Sequence, residues 1–178
     1  MPDNNDQLLL YEALELRAEY ESRIKTLQDC LPEAQKSSNR FGFNRDDQVV
    51  KRPSADFDPS VVRKTVKNLE YKHRKLNSAV QVSNFTTTIE YDGDKINLNE
   101  ALELRKSIND QIAQLHTQVV DSAYQRVIYK EGRDIVEENP ISYQDASAEL
   151  EQARMNFREL NRKLRRASFD TVVPFKDE

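Results

Sequence analysis

The sequence is poor in the residues that usually mark tight turns, disulfides and metal sites. Only three glycines and no tryptophan occur in 178 residues, and so few glycines are not typical of a protein with many β-turns. Cys30 is the only cysteine, which excludes a disulfide within the chain. Of the two histidines only His73 has a glutamate three residues before it, whereas a di-iron bundle needs two Glu-x-x-His pairs, which argues against a di-iron bundle or another metal site. We therefore expect neither a metal nor any other cofactor.

Long apolar runs and catalytic motifs are also missing. No stretch approaches the roughly 20 apolar residues that a membrane-spanning helix needs, and the polar, acidic start, Met1 to Gln7, does not resemble a signal peptide. The sequence has no glycine-rich phosphate loop and no nucleophile–base pair. We expect a cytoplasmic protein that binds no membrane and is not an enzyme.

Charged residues instead make up 33% of the chain and apolar residues 37%, which is typical of long, water-exposed helices. The net charge is −4, so the chain is a poor candidate for binding nucleic acid unless its basic residues gather on one face. Two basic clusters keep a nucleic-acid groove open as a minor alternative to a solvated surface; they consist of Lys72, Arg74 and Lys75, and of Arg162, Lys163, Arg165 and Arg166.

One six-residue motif occurs twice. Glu-Ala-Leu-Glu-Leu-Arg fills residues 12–17 and again residues 100–105, an offset of 100 − 12 = 88. A heptad pattern at 62–80 also recurs at 146–164, an offset of 146 − 62 = 84. These internal repeats indicate a tandem duplication of a helix, a long connection, a second helix and a short tail. We expect one domain, 1–178, with its repeats at 8–87 and 96–171.

The apolar residues of four segments step by three and four, which predicts amphipathic helices with coiled-coil-like seams. We predict helices from about Leu8 to Leu31, from Pro59 after the cap Asp58, from the cap Asn97 to about Lys130, and from the cap Ser142; Asp6 is the expected first cap. The seam residues of the second helix are Val62, Val66, Leu69, His73, Leu76 and Val80. Because each helical hairpin has an apolar stripe that it cannot bury alone, we predict an all-α, antiparallel four-helix bundle.

The segments between the helices carry weaker patterns. In 84–97, threonines and the Asp92-Gly93 turn signal predict a small β-hairpin between the halves. Ile135-Val136 is expected to be extended. In the connection 32–57, we expect Phe41 and Phe43 to pack on the bundle, with a partner's surface as the alternative.

Arg17 and Arg105 end the repeated motif and are the most informative polar residues. At 100° per residue both lie on the inward stripe of their helices, where a guanidinium needs hydrogen-bond acceptors. They form a structural latch that fixes helix register, a site for a small anionic ligand or nucleotide, or an exposed contact to a partner. The residues that we expect to complete either of the first two arrangements are Asn77, Asn161, Asn84, Glu12 and Glu100. His73, on a seam, is expected to be a core histidine.

Several motifs in their order resemble a family of small, mostly bacterial helical proteins labelled septicolysin or septicolysin-like. They are Glu-Ala-Leu-x-x-Arg at 12–17, Asn-x-x-Thr leading to Asp-Gly at 84–93, the second Glu-Ala-Leu-x-x-Arg at 100–105, and a Leu-Asn heptad helix at 150–169. The resemblance spans about 8–171 and departs at Phe85, where the family carries Trp or Ala. It implies a helical bundle and supplies no catalytic residue. The label suggests a cytolysin, which we keep as a minor alternative.

Together these patterns predict a non-catalytic helical-bundle protein that acts by binding and self-assembly, as a homo-oligomer. A small anionic ligand or a protein partner is the alternative that the sequence leaves open.

Overall fold

A computed structural model describes residues 7–32, 53–130, 132–137 and 139–177. The described chain folds into four helices and two β-hairpins. The helices are α1 (Leu10–Asp29), α2 (Pro59–Thr86), α3 (Leu98–Ser122) and α4 (Tyr143–Asp170); the strands are β1 (Thr88–Tyr91), β2 (Asp94–Asn97), β3 (Arg126–Lys130) and β4 (Arg133–Glu137). The fold is mostly helical, as predicted. It is not all-α, because a second hairpin, β3–β4, accompanies the predicted one.

The start of α3 is the predicted capping box. The Asn97 side chain accepts a hydrogen bond from the Glu100 backbone N–H at 2.9 Å, and the Glu100 carboxylate accepts one from the Asn97 N–H at 2.9 Å. At the equivalent place in α1, the Leu9 N–H donates to Glu12 at 2.8 Å. Leu9 has no side-chain acceptor, so only half of the box forms there. The predicted cap of α1, Asp6, lies outside the described residues.

The starts of α2 and α4 also follow the prediction. Asp58 accepts from the Ser60 N–H at 2.8 Å, with Pro59 as the first helical residue. The Ser142 hydroxyl oxygen accepts from the Asp145 N–H at 3.1 Å. These short-range contacts explain why the helix starts were readable from the sequence.

The predicted end of α3, at about Lys130, is wrong. The helix ends at Ser122, and residues 126–137 form β3 and β4. β-Branched and aromatic residues (Val127, Ile128, Tyr129) favour a strand, and Gly132 supplies the positive φ of 76° that the turn requires. The extended conformation predicted for Ile135-Val136 is confirmed in β4.

The chain divides into two compact units. Unit 1 consists of the chain up to Ser83 together with Asp170 onward, and unit 2 runs from Asn84 to Phe169. Unit 1 therefore holds α1, most of α2 and the C-terminal tail. Unit 2 holds both β-hairpins, α3 and almost all of α4. The connection with Phe41 and Phe43 falls outside the described residues.

The core of unit 1 is built from α1, α2 and the tail. The tail residues lie beside the start of α1, because the Leu10 N–H donates to the Thr171 carbonyl and the Val173 N–H to the Leu8 carbonyl, both at 2.8 Å. The Ser83 hydroxyl donates to the Val172 carbonyl at 3.3 Å. The buried apolar residues are Leu10, Ala13, Tyr20, Val66, Leu69, Leu76, Val80 and Val173. The predicted seam of α2 is therefore largely confirmed.

The core of unit 2 is built from α3, α4 and the first hairpin. Its two clusters of buried residues are Ala101, Ile108 and Leu160, and Leu115, Leu150 and Ala153. The hairpin β1–β2 covers the first cluster with Ile89, Tyr91 and Ile96, and it turns through Asp92 and Gly93, both at positive φ. The Leu98 N–H donates to the Thr87 carbonyl at 3.0 Å. None of the described helices is both long and apolar enough to cross a membrane.

Candidate functional site

Arg17 lies on the face of α1 that meets α2. Its guanidinium donates to the Asn77 side-chain oxygen at 3.4 Å, in a partly buried position. One helical turn further, the His73 ring nitrogen Nε2 lies 3.1 Å from a carboxylate oxygen of Glu21. The two contacts show that the start of α1 meets the end of α2, as an antiparallel helical hairpin requires. The His73 side chain is 28% exposed beside an exposed carboxylate, so it borders the core and is not enclosed by it.

Arg105, the equivalent residue of α3, is exposed. The prediction that it lies on an inward stripe is therefore wrong. Within the described part of the chain, no hydrogen bond joins it to the half-buried Asn161. A guanidinium that finds no acceptor keeps its hydration shell, because burial without a partner costs several kcal/mol. The same motif thus has two environments.

The other candidate residues serve mainly at helix ends. Glu12 accepts from the Leu9 N–H and also, at 3.0 Å, from the Tyr11 hydroxyl, and Glu100 completes the capping box of α3. Asn84 is half-buried in the last turn of α2. Of the predicted site residues, Arg17, Asn77 and Glu12 belong to unit 1 and the rest to unit 2. The only predicted pair that the structure joins by a hydrogen bond is Arg17 with Asn77.

A polar cluster that the sequence analysis did not predict attaches the tail to unit 1. The Lys72 ammonium lies 2.8 Å from an Asp177 carboxylate oxygen, and this contact, with the nearby Tyr20 hydroxyl, lowers the pKa of Asp177. The Tyr20 hydroxyl is buried and makes no well-aligned hydrogen bond within the described residues. Burial, and then the Asp177 carboxylate, raise the pKa of Tyr20. No local pattern could have revealed this cluster, because 157 residues separate Tyr20 from Asp177 (177 − 20).

Unit 2 contains a polar cleft of about 330 Å³ between the β1–β2 turn and α4. Its lining residues are Tyr91, Asp92, Gly93, Asn156, Glu159 and Lys163. Lys163 is already held there, since its ammonium lies 3.2 Å from Glu159, donates to the Glu90 carbonyl at 2.7 Å and sits 5.6 Å from the centre of the Tyr91 ring. These contacts explain the cleft as a support for the hairpin β1–β2.

The basic residues singled out in the sequence are divided between the units. Lys72 is paired with Asp177, and Lys163 with Glu159. Arg74 and Lys75 lie 5.7 and 5.5 Å from the centre of the Tyr71 ring. The seven residues proposed for a nucleic-acid groove therefore do not belong to one continuous unit.

The hairpin β3–β4, the exposed hairpin, presents apolar side chains to solvent. Its register pairs Val127 with Val136 on one face and Ile128 with Ile135 on the other. All four are 40–49% exposed, and every residue of β4 is exposed. β3 was not predicted, because α3 was extended through it, although a run of β-branched and aromatic residues before a glycine favours a strand that ends in a turn.

Among the described residues, the Asn139 side chain connects the base of the exposed hairpin to the end of α3. The Asn139 amide donates to the Asp121 carbonyl at 3.3 Å and to the Tyr124 carbonyl at 3.1 Å. At the same end of the hairpin, Arg126 and Glu137 form a weak ion pair at 3.7 Å. The Asn139 hydrogen bonds thus connect the base of the hairpin to the end of α3, and the ion pair joins its two strands.

The fold and these surfaces define a mostly helical protein with one packed and one exposed β-hairpin. In the described ranges, no three His, Cys, Asp or Glu side chains come together in a way that could hold a metal ion. No protein-family model, curated protein or solved structure matches the chain. The resemblance to septicolysin-like proteins therefore stays a prediction.

Proposed function

We propose that this protein is a non-catalytic, cytoplasmic helical bundle that acts by binding, through self-assembly into a homo-oligomer. The observation that supports it is the exposed hairpin. A two-stranded hairpin is at best marginally stable alone in water, yet this one presents aliphatic residues on both faces. Exposed apolar surface of this kind marks interaction sites in natural proteins.

In this proposal the four helices form one antiparallel bundle of two tandem helical hairpins. Equivalent residues support the duplication, since Leu10 and Leu98, 88 residues apart, donate to the Thr171 and Thr87 carbonyls, 84 residues apart. Many seam positions also match in burial, since Leu69 and Leu76 of one half and Ala153 and Leu160 of the other are all buried. The bundle would supply a rigid base from which the exposed hairpin reaches a partner.

Native mass spectrometry of the gently purified full-length protein tests the proposal. We expect an integral multiple of the subunit mass, with no retained small molecule, across a range of protein concentrations. The denatured protein supplies the subunit mass as the control. A monomer at every concentration would contradict self-assembly.

A second candidate function is the binding of a small anion or nucleotide through Arg17 and Arg105. It is favoured by the partly buried Arg17 guanidinium beside the Asn77 amide, a pair that can bind carboxylate or phosphate. In the same experiment it predicts a stoichiometric extra mass that disappears in the variant Arg17→Met/Arg105→Met, with circular dichroism and melting temperature little changed. If melting falls sharply in Arg17→Met alone, the arginine acts as a structural latch instead.

A further inference from the structure

Both outer edges of the exposed hairpin are open. β3 and β4 form a two-stranded sheet, and no other described strand pairs with either. Lys130 and Arg133 close the two-residue turn, and in such hairpins the closing pair is hydrogen-bonded and such pairs alternate along the strands. Arg133, Ile135 and Glu137 therefore direct their backbone groups towards β3. Asp134 and Val136 direct theirs to the open edge, where a further strand can pair.

If β4 pairs with β4 of a second copy about a two-fold axis, three antiparallel registers let the outward backbone groups of the two copies hydrogen-bond to each other. Asp134 opposite Asp134 of a second copy places like charges together, which is unfavourable. Val136 opposite Val136 places Ile135 against a glutamate, Glu137. The third register places Asp134 opposite Val136, Ile135 opposite Ile135, and Arg133 opposite Glu137 twice. Only this third register sets opposite charges, Arg133 and Glu137, against each other and also sets Ile135 against Ile135.

The other edge of the hairpin does not have this complementarity. The equivalent self-pairing of β3 sets Ile128 opposite Ile128 but puts two basic residues, Arg126 and Lys130, opposite each other twice. The two strands have the same pairing geometry but differ in the order of their charged residues. Only the order in β4 sets opposite charges against each other, which favours pairing through β4.

From this edge we infer that a second copy of this chain pairs with β4, in antiparallel register about Ile135, to form a four-stranded sheet across the dimer. The inference rests on the proposed self-assembly and names its partner and its surface. Ile128 and Ile135 of both copies then form one continuous row of four isoleucines on one face. A sheet of that size is stable where an isolated hairpin is marginal. The attachment through Asn139 holds the edge in place before the copies meet, which reduces the entropy lost on binding.

Cysteine cross-linking tests the register. In the background Cys30→Ser, the variant Ile135→Cys places two Cα atoms about 4.5 Å apart across a non-hydrogen-bonded pair, near the range that a disulfide needs. Diamide, added as the oxidant, should convert most of this variant to a covalent dimer. The matched control is Ile128→Cys, on the same face and similarly exposed, whose two copies are three strand spacings apart, about 14 Å, and should stay uncross-linked. Equal cross-linking of the two variants would overturn the register.

Charge reversal tests the ion pairs. With Arg133→Glu in both copies, the new carboxylate of each copy faces Glu137 of the other, so like charges meet twice. We expect dimerisation, measured by analytical ultracentrifugation, to weaken about tenfold or more. Glu137→Arg, which also loses the ion pair with Arg126 of its own hairpin, should weaken self-association likewise. Mixing the two variants should restore dimers, because each basic residue then faces an acidic one.

The outcomes separate this inference from the proposed function. If the wild-type protein is monomeric throughout, self-assembly and the β4 edge both fail. If it is oligomeric but responds to neither cross-linking at Ile135 nor charge reversal, self-assembly stands and the β4 edge is wrong. Restored dimers in the mixture, together with selective cross-linking at Ile135, support both.

Discussion

Arg17 and Arg105 occupy the same place in two copies of one motif, yet among the described residues only Arg17 has a hydrogen-bond acceptor. The Arg17 guanidinium reaches the Asn77 amide, whereas Arg105 is exposed. The helical angle that both residues share decides which side of the helix they occupy. The neighbouring helix decides whether a hydrogen-bond acceptor lies within reach. Because an unpaired buried charge is costly, a guanidinium without an acceptor stays exposed.

The protonation of Tyr20 should affect the stability of unit 1. Burial and Asp177 raise its pKa in the folded protein, so folding favours the neutral phenol and stability falls as the pH rises above about 10, the ordinary tyrosine value. We expect the melting temperature to drop more steeply above this pH in the wild type than in Tyr20→Phe, which cannot ionise there.

The control for this prediction is Tyr143→Phe, which removes an exposed hydroxyl at the start of α4. Its melting curve should follow the wild type at every pH. An identical alkaline drop in Tyr20→Phe and the wild type would show that Tyr20 is not responsible.

At the scale of elements, the two hairpins differ in what covers them. Both turn through two residues, with glycine at positive φ in the second position. Ile89, Tyr91 and Ile96 of β1–β2 pack on the helical core of unit 2. The aliphatic residues of β3–β4 remain exposed on both faces. Similar local sequence therefore produces a core element in one place and an open edge in the other.

Asn139 should control how firmly the exposed hairpin is held. Asn139→Ala removes two hydrogen bonds to carbonyls at the end of α3. We expect amide hydrogen exchange at 126–137 to accelerate about tenfold, since each such bond contributes roughly 0.5–1.5 kcal/mol. Exchange at 88–97 should not change.

Asn109→Ala supplies the matched control, because Asn109 is an exposed asparagine of α3 remote in sequence from the hairpin. Acceleration in both variants would mean that a general loss of stability, and not a local attachment, explains the result.

At the scale of the whole molecule, the two ends of the described chain meet. The backbone of the tail bonds to Leu8 and Leu10 at the beginning of α1, and Asp177 is paired with Lys72 on α2. Unit 1 is therefore completed only after the last residues of the chain are available. Its folding depends on contacts between residues far apart in sequence, which raises the loop-closure cost.

Two neighbouring valines of the tail differ in how much of their surface is exposed. Val173 is 2% exposed and Val172 is 44% exposed. Val173→Ala should lower the free energy of unfolding by about 2 kcal/mol, from two lost methyl groups and the cavity they leave. Val172→Ala should change it by less than about 0.5 kcal/mol. Urea unfolding of the two variants measures the difference, and equal losses would argue against a tail packed as described.

The sequence by itself determined the features that depend on neighbours within a few residues. Seam spacing placed most of the buried residues of α2, and Asp58, Asn97 and Ser142 marked three of the helix starts because caps act over three residues. The hairpin at 88–97 was predicted for the same reason, since its turn chemistry is local. The end of α3 was missed because an amphipathic pattern was continued past Ser122 into residues that favour a strand.

The tertiary structure alone decided which surfaces these elements meet. It paired Arg17 but exposed Arg105, attached Asp177 to Lys72, and packed one hairpin on the helical core of unit 2 while leaving the other exposed. Each of these outcomes depends on contacts between residues that are distant in the chain. Local periodicity and propensity describe the apolar face of an element, but what covers that face depends on how the rest of the chain packs around it.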